Sequence, residues 1–338
     1  MELGFTNCLL ILDLLRHFEI GYITKRIAVI GAGVSGISAA NTLVDAGYSV
    51  TLFDQGKSLG GRLGIRTLKV PPYQGRNIDV GAAYFTASEE DFKLKVEEWL
   101  RQKLAHQWVD TFSVIDEDGI SNKSGPMRYV ASGGLKNLLF FEMAILKDKI
   151  DYFQDYKVTE VDINNKVRVD KKQFDAVVLA LPAPQAGRIV LNSEIKSELS
   201  KIKFNPVLVS WFSSNIDLAF DGMFVNNSSA VNLLINEGSK QRDNNNICTI
   251  YSTHEFAAAE INDLDLAKEK LLNEANKILN INSSYLESGI MRWTLAQPVS
   301  SERPKMPSNV AIVGDAFSDN PRIEAAWLDG SRVLEQLA

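Results

Sequence analysis

The chain has 338 residues, 45% of them hydrophobic and 23% charged, with a formal net charge of −6. That length accommodates two domains, each with its own core, and the acidic balance argues against nucleic acid as the main partner. Two cysteines, Cys8 and Cys248, supply no disulfide framework, and three scattered histidines supply no zinc or haem site.

Residues 1–24 precede the first strong signal. The apolar run at 8–12 resembles a signal-peptide core, but Asp13 and Arg16 interrupt it and Glu2 stands where a positive charge belongs. The segment reads as an extension. An amphipathic helix packed on the domain, a disordered tail and a start codon assigned too far upstream all stay open. No run reaches about 18 uninterrupted apolar residues, so no membrane span is expected. A cytoplasmic location is the simplest expectation.

Residues 26–31 then open with the short apolar run of a buried parallel strand. Gly31-Ala32-Gly33-Val34-Ser35-Gly36 follows with G-x-G-x-x-G spacing. Gly31 permits a tight turn, Gly33 lets backbone approach a pyrophosphate, and Gly36 lets the next helix pack on the sheet. That helix, over 34–46, buries Ala39, Ala40, Leu43 and Val44, and Gly47 suits a left-handed cap. Its first N–H groups, at Val34 and Ser35, and the positive end of its dipole suit phosphate oxygens. A second strand over 48–53 ends at Asp54, whose carboxylate can accept from ribose hydroxyls and would repel an NADP-type phosphate. The spacing predicts an adenine-dinucleotide site, without separating FAD from NAD.

After Asp54 comes a glycine-rich turn, Gln55 to Arg62, in which Gly61 can lie against a ligand and Arg62 can neutralise a phosphate. Residues 63–78 read as a loop or hairpin. At 78–86, a short strand leads through Gly81, Ala82 and Ala83, where a flat ring could approach, to Tyr84 and Phe85, which could wall a pocket; a core β-bend fits the same letters. Helical spacing follows at 89–103, then strands around an acidic turn over 107–122. A loop over 128–135 leads into a helix ending at 145. A strand pair is expected over 152–169 with its turn at Asn164-Asn165, and Val158 within it is counted among the cofactor contacts.

Residues 174–182 give a further buried strand stopped by proline. Strands are expected at 207–213 and 247–252 and a helix at 264–279, with the polar stretch 238–246 a solvated loop without chemistry. Near the C-terminus, the strand 309–313 ends in Gly314-Asp315, which can place a carboxylate on a ribitol hydroxyl of FAD; a helix cap or turn explains Asp315 equally simply. Residues 321–330 begin the last helix, and Arg322, Ile323 and Glu324 at its start can meet the N1/O2 edge of a flavin.

Taken together, these pieces resemble the amine-oxidase superfamily of flavoproteins, and within it the renalase-like branch. The matching stretches are AVIGAGVSG (28–36), Asp54, GGR (60–62), DVGAAYFT (79–86), SGGL (132–135), VVLALPAPQA (177–186), RWTLAQP (292–298), VGDAF (313–317) and RIEAAWLDG (322–330). The resemblance implies an α/β fold: a doubly wound, Rossmann-type FAD domain with a parallel sheet, and a smaller α+β substrate domain. The FAD domain would be discontinuous, over 25–90, 150–190 and 285–338, with 91–149 and 191–284 forming the substrate domain. It further implies hydride transfer from a small molecule to flavin N5 and reoxidation by O2 to give hydrogen peroxide. Dihydronicotinamide isomers are the suggested substrates of that branch. Tyr84, Phe85 and Trp293 are expected to wall the ring, with Arg292 orienting an anionic or carboxamide-bearing substrate. FAD is expected to be non-covalent, since the context of Cys248 does not suggest a flavin link. The chain departs from the branch's usual pattern at Ala83, Met291 and Ala316, changes that enlarge or depolarise the pocket. A flavin amine oxidase, a desaturase of a larger apolar substrate and a catalytically silent flavin-binding protein stay open as alternatives.

Overall fold

The computed structural model describes residues 24–163, 166–243, 245–282, 284–299 and 301–337. The expectations for residues 1–23 and for a turn at Asn164-Asn165 lie outside the described residues.

Five parallel strands form the central sheet in the order Val310–Ile312, Ala176–Leu179, Arg26–Ile30, Ser49–Phe53, Ile150–Phe153. Both faces are covered, which is why Ala176–Leu179 and residues 27–30 are apolar without interruption and buried throughout. Ile27 and Val29 point into one core while Ala28 and Ile30 point into the other, following the two-residue period of a strand. On the first face lie the helices Val34–Asp45, Glu90–Arg101, Lys136–Leu146 and Ile323–Ser331. The opposite face carries a three-stranded antiparallel sheet (Val161–Asp162, Val167–Val169, Lys172–Phe174) and the helices Ala183–Ile189 and Ser193–Lys201.

Several placements differ from the expected ones. Of the strand pair expected over 152–169, Val161–Asp162 and Val167–Val169 do pair antiparallel, whereas Ile150–Phe153 extends the parallel sheet beside Ser49–Phe53, with Val50 opposite Ile150. A four-residue stretch cannot announce its partner, and this one is fixed by neighbours a hundred positions away. The helices Glu90–Arg101 and Lys136–Leu146, expected in the second domain, bury Phe92, Val96, Trp99, Leu138 and Leu139 in the core of the first. Trp99 packs edge-to-face against Phe85, Phe92 and Trp327, and its indole N–H donates to Glu142 Oε1 at 2.8 Å. Fully burying one large apolar side chain contributes about 1.5–3 kcal/mol, so this cluster anchors both helices.

The last helix lies on the first. An ideal Cβ on Gly330 would fall on the Ser35 carbonyl oxygen, Ser38 Oγ donates to Trp327 O at 2.7 Å, and Thr42 Oγ1 donates to Ser331 O at 3.3 Å. Only glycine allows the two backbones this approach.

A second, seven-stranded sheet runs in the order Glu287–Pro298, Phe204–Ser213, Ile247–Ser252, Val231–Asn236, Gly222–Val225, Thr111–Asp116, Gly119–Ser124. Glu287–Pro298, expected in the cofactor domain, is therefore the edge strand of this sheet. The helices His254–Glu260 and Leu264–Leu279 cover one face. The other face turns toward the central sheet, across the hairpin Ile65–Thr67 and Asn77–Asp79. The stretch 238–246 is not a solvated loop at its start. Glu237–Gln241 is a short helix capped by the Asn236 side chain, and Lys240 within it is fully buried.

Candidate functional site

One cavity of about 1090 Å3 runs from the turn at Gly31 and Gly33 to Tyr251 and Leu233 of the second sheet. It opens at the C-terminal ends of the strands 26–30 and 176–179, where the strand order reverses direction, the customary ligand crevice of an open parallel sheet.

The first end is bare backbone. Gly33 is the N-cap of the helix Val34–Asp45 and supplies no side-chain cap, and an added Cβ there would meet open space. The helix Ile323–Ser331 likewise starts without a side-chain cap. Both N-termini border the cavity. Asn192, Asn236, Thr253 and Asp263 cap helices elsewhere with their own side chains, while Glu90–Arg101, Lys136–Leu146 and Ala183–Ile189 also start without one. Unfilled N–H groups at two helix starts make a ready site for anionic or acceptor oxygens. Gly36 does not border the cavity. Its Cβ would fall on the Gly31 carbonyl oxygen, so its role is the helix–strand packing the spacing predicts.

Asp54 sits at the end of the second strand with both carboxylate oxygens engaged. Oδ2 accepts from Ala32 N at 2.7 Å and Oδ1 from Gly56 N at 2.6 Å. It thereby braces the glycine turn against the loop that follows, and each oxygen keeps a further lone pair for a hydroxyl. Gln55, Gly61, Gly81, Ala82 and Val158 border the same stretch of cavity.

Arg62 and Asp315, read separately as a phosphate and a ribitol contact, are paired to each other. Arg62 Nη2 meets Asp315 Oδ1 at 2.6 Å and Nη1 meets Oδ2 at 3.1 Å. Arg62 Nη1 also donates to Ala296 O at 3.0 Å, and its guanidinium lies 5.8 Å from the Phe204 ring centroid. This fork joins the loop after Asp54, the C-terminal turn and the edge strand of the second sheet. Gly314 N donates to Asp329 Oδ2 at 2.7 Å, and an added Cβ on Gly314 would meet nothing.

Two residues expected at the site serve elsewhere. Glu324 does not border the cavity: its carboxylate accepts from Ser88 N, Ser88 Oγ and Glu89 N at 2.6–2.9 Å and pairs with Arg322. Arg322 borders the cavity with its guanidinium turned to Glu324 and Ser88. Burial works against the Glu324 charge, but the two backbone N–H groups, the hydroxyl and Arg322 outweigh it and depress its pKa. A depressed folded-state pKa adds stability above the unfolded value near 4.5 that disappears as pH falls through the folded value. Glu324→Gln is therefore expected to lower the urea midpoint at pH 7 and to flatten its decline below about pH 4.5; an unchanged pH dependence would count against this assignment. Phe85 is the other displaced residue. It is buried, stacked on Tyr129, and forms no wall.

The second end of the cavity is aromatic and apolar. Tyr84 and Ala83 face Val207, Val209, Leu233, Tyr251 and Trp293. Trp293 lies over Gly64, where an added Cβ would come within 2.6 Å of the indole, and its N–H donates to Val80 O at 2.6 Å. Burial, with Glu237 and Asp79 nearby, holds the Tyr251 phenol well above its ordinary pKa, so it stays a neutral hydroxyl. Arg292 borders the cavity, and its side chain makes no hydrogen bond or ion pair among the described residues. Successive strand residues point to opposite faces, and Arg292 stands opposite Leu208 of the helix-covered core whereas Trp293 stands opposite Val207 of the cavity side. Trp293, expected as a wall, is thus on the chamber face, whereas Arg292, expected to orient the substrate, leaves its strand on the opposite face. Tyr251, Leu233, Val207 and Val209 were missed from sequence; Val207, Val209 and Tyr251 fall in strands that were expected and Leu233 in one that was not, and none carried a signal for which face would meet the cavity.

A family model described as an NAD(P)-binding Rossmann-like domain matches residues 29–101. The 4,4'-diaponeurosporene oxygenase of Staphylococcus aureus (strain USA300) is 30% identical over 115 residues, covering 29% of this chain. The chain spans only 22% of that relative's length. Among solved structures, one described as a protoporphyrinogen oxidase from Exiguobacterium sp. 255-15 matches with a TM-score of 0.74 at 10% identity, over 92% of this chain and 98% of that one. A putrescine oxidase bound to putrescine matches with a TM-score of 0.67 at 13% identity, over 92% and 98%. The fold is thus shared over 92% of this chain with both structures.

Proposed function

We propose that the protein is an FAD-dependent oxidoreductase that accepts hydride from a small molecule and passes the electrons to O2, in the manner of renalase-like oxidases. The observation that carries this is the single cavity joining two uncapped helix N-termini to an aromatic chamber. The donor set suits FAD: N–H groups of Val34 and Ser35 for the diphosphate, Asp54 for a ribose, Arg62 and Asp315 for the phosphate–ribitol span, and the Ile323 N–H for the ring's polar edge. When bound, FAD would supply a two-electron acceptor that O2 can reoxidise.

The chain's own contribution is positioning and exclusion of water. Tyr84, Tyr251 and Trp293 confine a flat substrate, and no strong side-chain base is needed there for hydride loss. In balance, the substrate carbon gives up a hydride (two electrons and one proton), and O2 takes these with a second proton from solvent to leave as hydrogen peroxide. The carboxylates bordering the cavity, Asp54 and Asp315, are both engaged within the protein. An ammonium substrate would find no unengaged carboxylate among the described residues bordering the cavity, which favours a neutral dihydronicotinamide-type ring over a polyamine.

The test is an absorbance spectrum of the purified protein, followed under argon by partly isomerised NADH. Flavin bands that bleach, with peroxide formed on admitting air, are the expected result. Bands that persist would discard the dihydronicotinamide substrate, and absence of flavin even after reconstitution would discard the cofactor.

A further inference from the structure

Behind the aromatic chamber lies a buried ionic cluster that the chemistry above does not use. Lys240 is 0% exposed and Asp79 and Glu237 are each 1% exposed. Lys240 Nζ meets Asp79 Oδ2 at 2.6 Å and Glu237 Oε1 at 3.1 Å. The first contact is an ion pair by distance, although its angle is not that of a hydrogen bond. Thr249 Oγ1 donates to Glu237 Oε1 at 3.1 Å, and Leu135 N donates to Asp79 Oδ1 at 2.9 Å.

The cluster's members come from the two-stranded hairpin and from a helix inserted in the seven-stranded sheet. Asp79 ends the hairpin strand Asn77–Asp79 and starts the segment that reaches Gly81, Ala82 and Tyr84 on the cavity. Lys240 and Glu237 belong to the short helix between two strands of the seven-stranded sheet. The main chain beside Asp79 is in turn what the chamber's aromatics hold: Tyr251 OH donates to Asp79 O at 3.4 Å, and Trp293 Nε1 donates to Val80 O at 2.6 Å. We propose that Lys240 is a positioning residue of this site, its ion pair with Asp79 setting where Tyr251 and Trp293 stand relative to the cofactor end of the cavity. This rests on the FAD-oxidoreductase reading for its functional meaning, though not for its geometry.

A charge placed so deeply is costly unless fully paired; replacing the whole cluster by apolar side chains of the same volume can be as stable, whereas removing one partner strands the others. What the apolar replacement lacks is direction. A satisfied ionic network admits one arrangement of its members, whereas packed methylenes tolerate several. Burial acts against the Lys240 charge, yet Asp79 and Glu237 outweigh it and raise its pKa, while burial pushes Glu237 up. The arrangement thus favours a charged lysine held mainly by Asp79.

The experiment is Lys240→Met, read first through Trp293. The Trp293 contribution to near-ultraviolet circular dichroism is the difference between the protein and its Trp293→Phe variant, measured with and without FAD. We expect that difference to collapse in the Lys240→Met background and to return in part with Lys240→Arg. With FAD bound, cofactor affinity should hold within about threefold while the limiting rate of flavin reduction by isomerised NADH falls about tenfold, the scale of a misplaced wall. An unchanged Trp293 difference, or a lowered melting temperature with the signal and rate intact, would overturn the proposal and leave a structural tie only. Should Lys240→Met not fold, Asp79→Asn weakens the same ion pair and keeps the side-chain acceptor for Leu135 N–H; the same two outcomes decide. A colourless protein would overturn the cofactor reading alone, because the dichroic difference is measured without FAD as well.

Discussion

Gly36→Ala is expected to abolish FAD binding and to destabilise the chain by about 1–3 kcal/mol or more, the scale of overpacking in a tight contact. The added methyl would fall on the Gly31 carbonyl oxygen and come within 3.1 Å of Ala180 Cβ. Relief requires the helix Val34–Asp45 to back away from the strands on either side of the switch point. That motion carries the Val34 and Ser35 N–H groups out of the cavity, so affinity and stability fall together. Gly31 cannot compensate by changing shape. It holds φ +110, and its own Cβ would strike Ala180 O. Urea unfolding and an FAD titration of the variant check this; near-normal values in both would contradict the packing argument.

Arg62→Ala should raise the dissociation constant for FAD about a hundredfold, which is about 2.7 kcal/mol. The guanidinium makes a two-pronged contact with Asp315 and a third bond to Ala296 O, and charge-assisted bonds are roughly twice as strong as neutral ones. Without it, the Asp315 carboxylate would face the diphosphate end uncompensated. Stability should change much less, by about 1 kcal/mol, because the Arg62 side chain is 31% exposed and water screens the pair. Arg62→Lys should fall between the two, keeping the charge without the fork. Isothermal titration with FAD beside thermal unfolding separates the two effects, and a large stability loss with unchanged affinity would assign Arg62 to scaffolding.

Much of the central sheet was legible in the sequence because its signals are local. The apolar runs at 27–30 and 176–179, the glycine spacing and the acid at 54 each follow from neighbours within a few residues. The candidate site was legible where it is backbone: Gly31, Gly33, Val34, Ser35 and Gly314 all border the cavity. Side chains were harder. Tyr84 and Phe85 are adjacent and chemically alike, yet one borders the cavity and the other is stacked in the core. Choosing between Arg292 and Trp293 requires knowing that Glu287–Pro298 is a strand and which face it offers. The buried Lys240 carries no local signal at all. Its polar surroundings in sequence suggest solvent, and its partner Asp79 lies far along the chain.

The packing of the last helix on the first has a consequence for how the molecule comes into being. Gly330 rests on Ser35 and Trp327 receives the Ser38 hydroxyl, so the glycine-turn motif waits for a helix 289 positions further along before its outer face is covered. The strand Val310–Ile312 completes the sheet equally late. Contacts of such long sequence separation close slowly and leave apolar surface exposed meanwhile. The order of synthesis and the order of assembly therefore run in opposite directions, and the ligand cradle at the N-terminal turn is among the last parts of the molecule to mature.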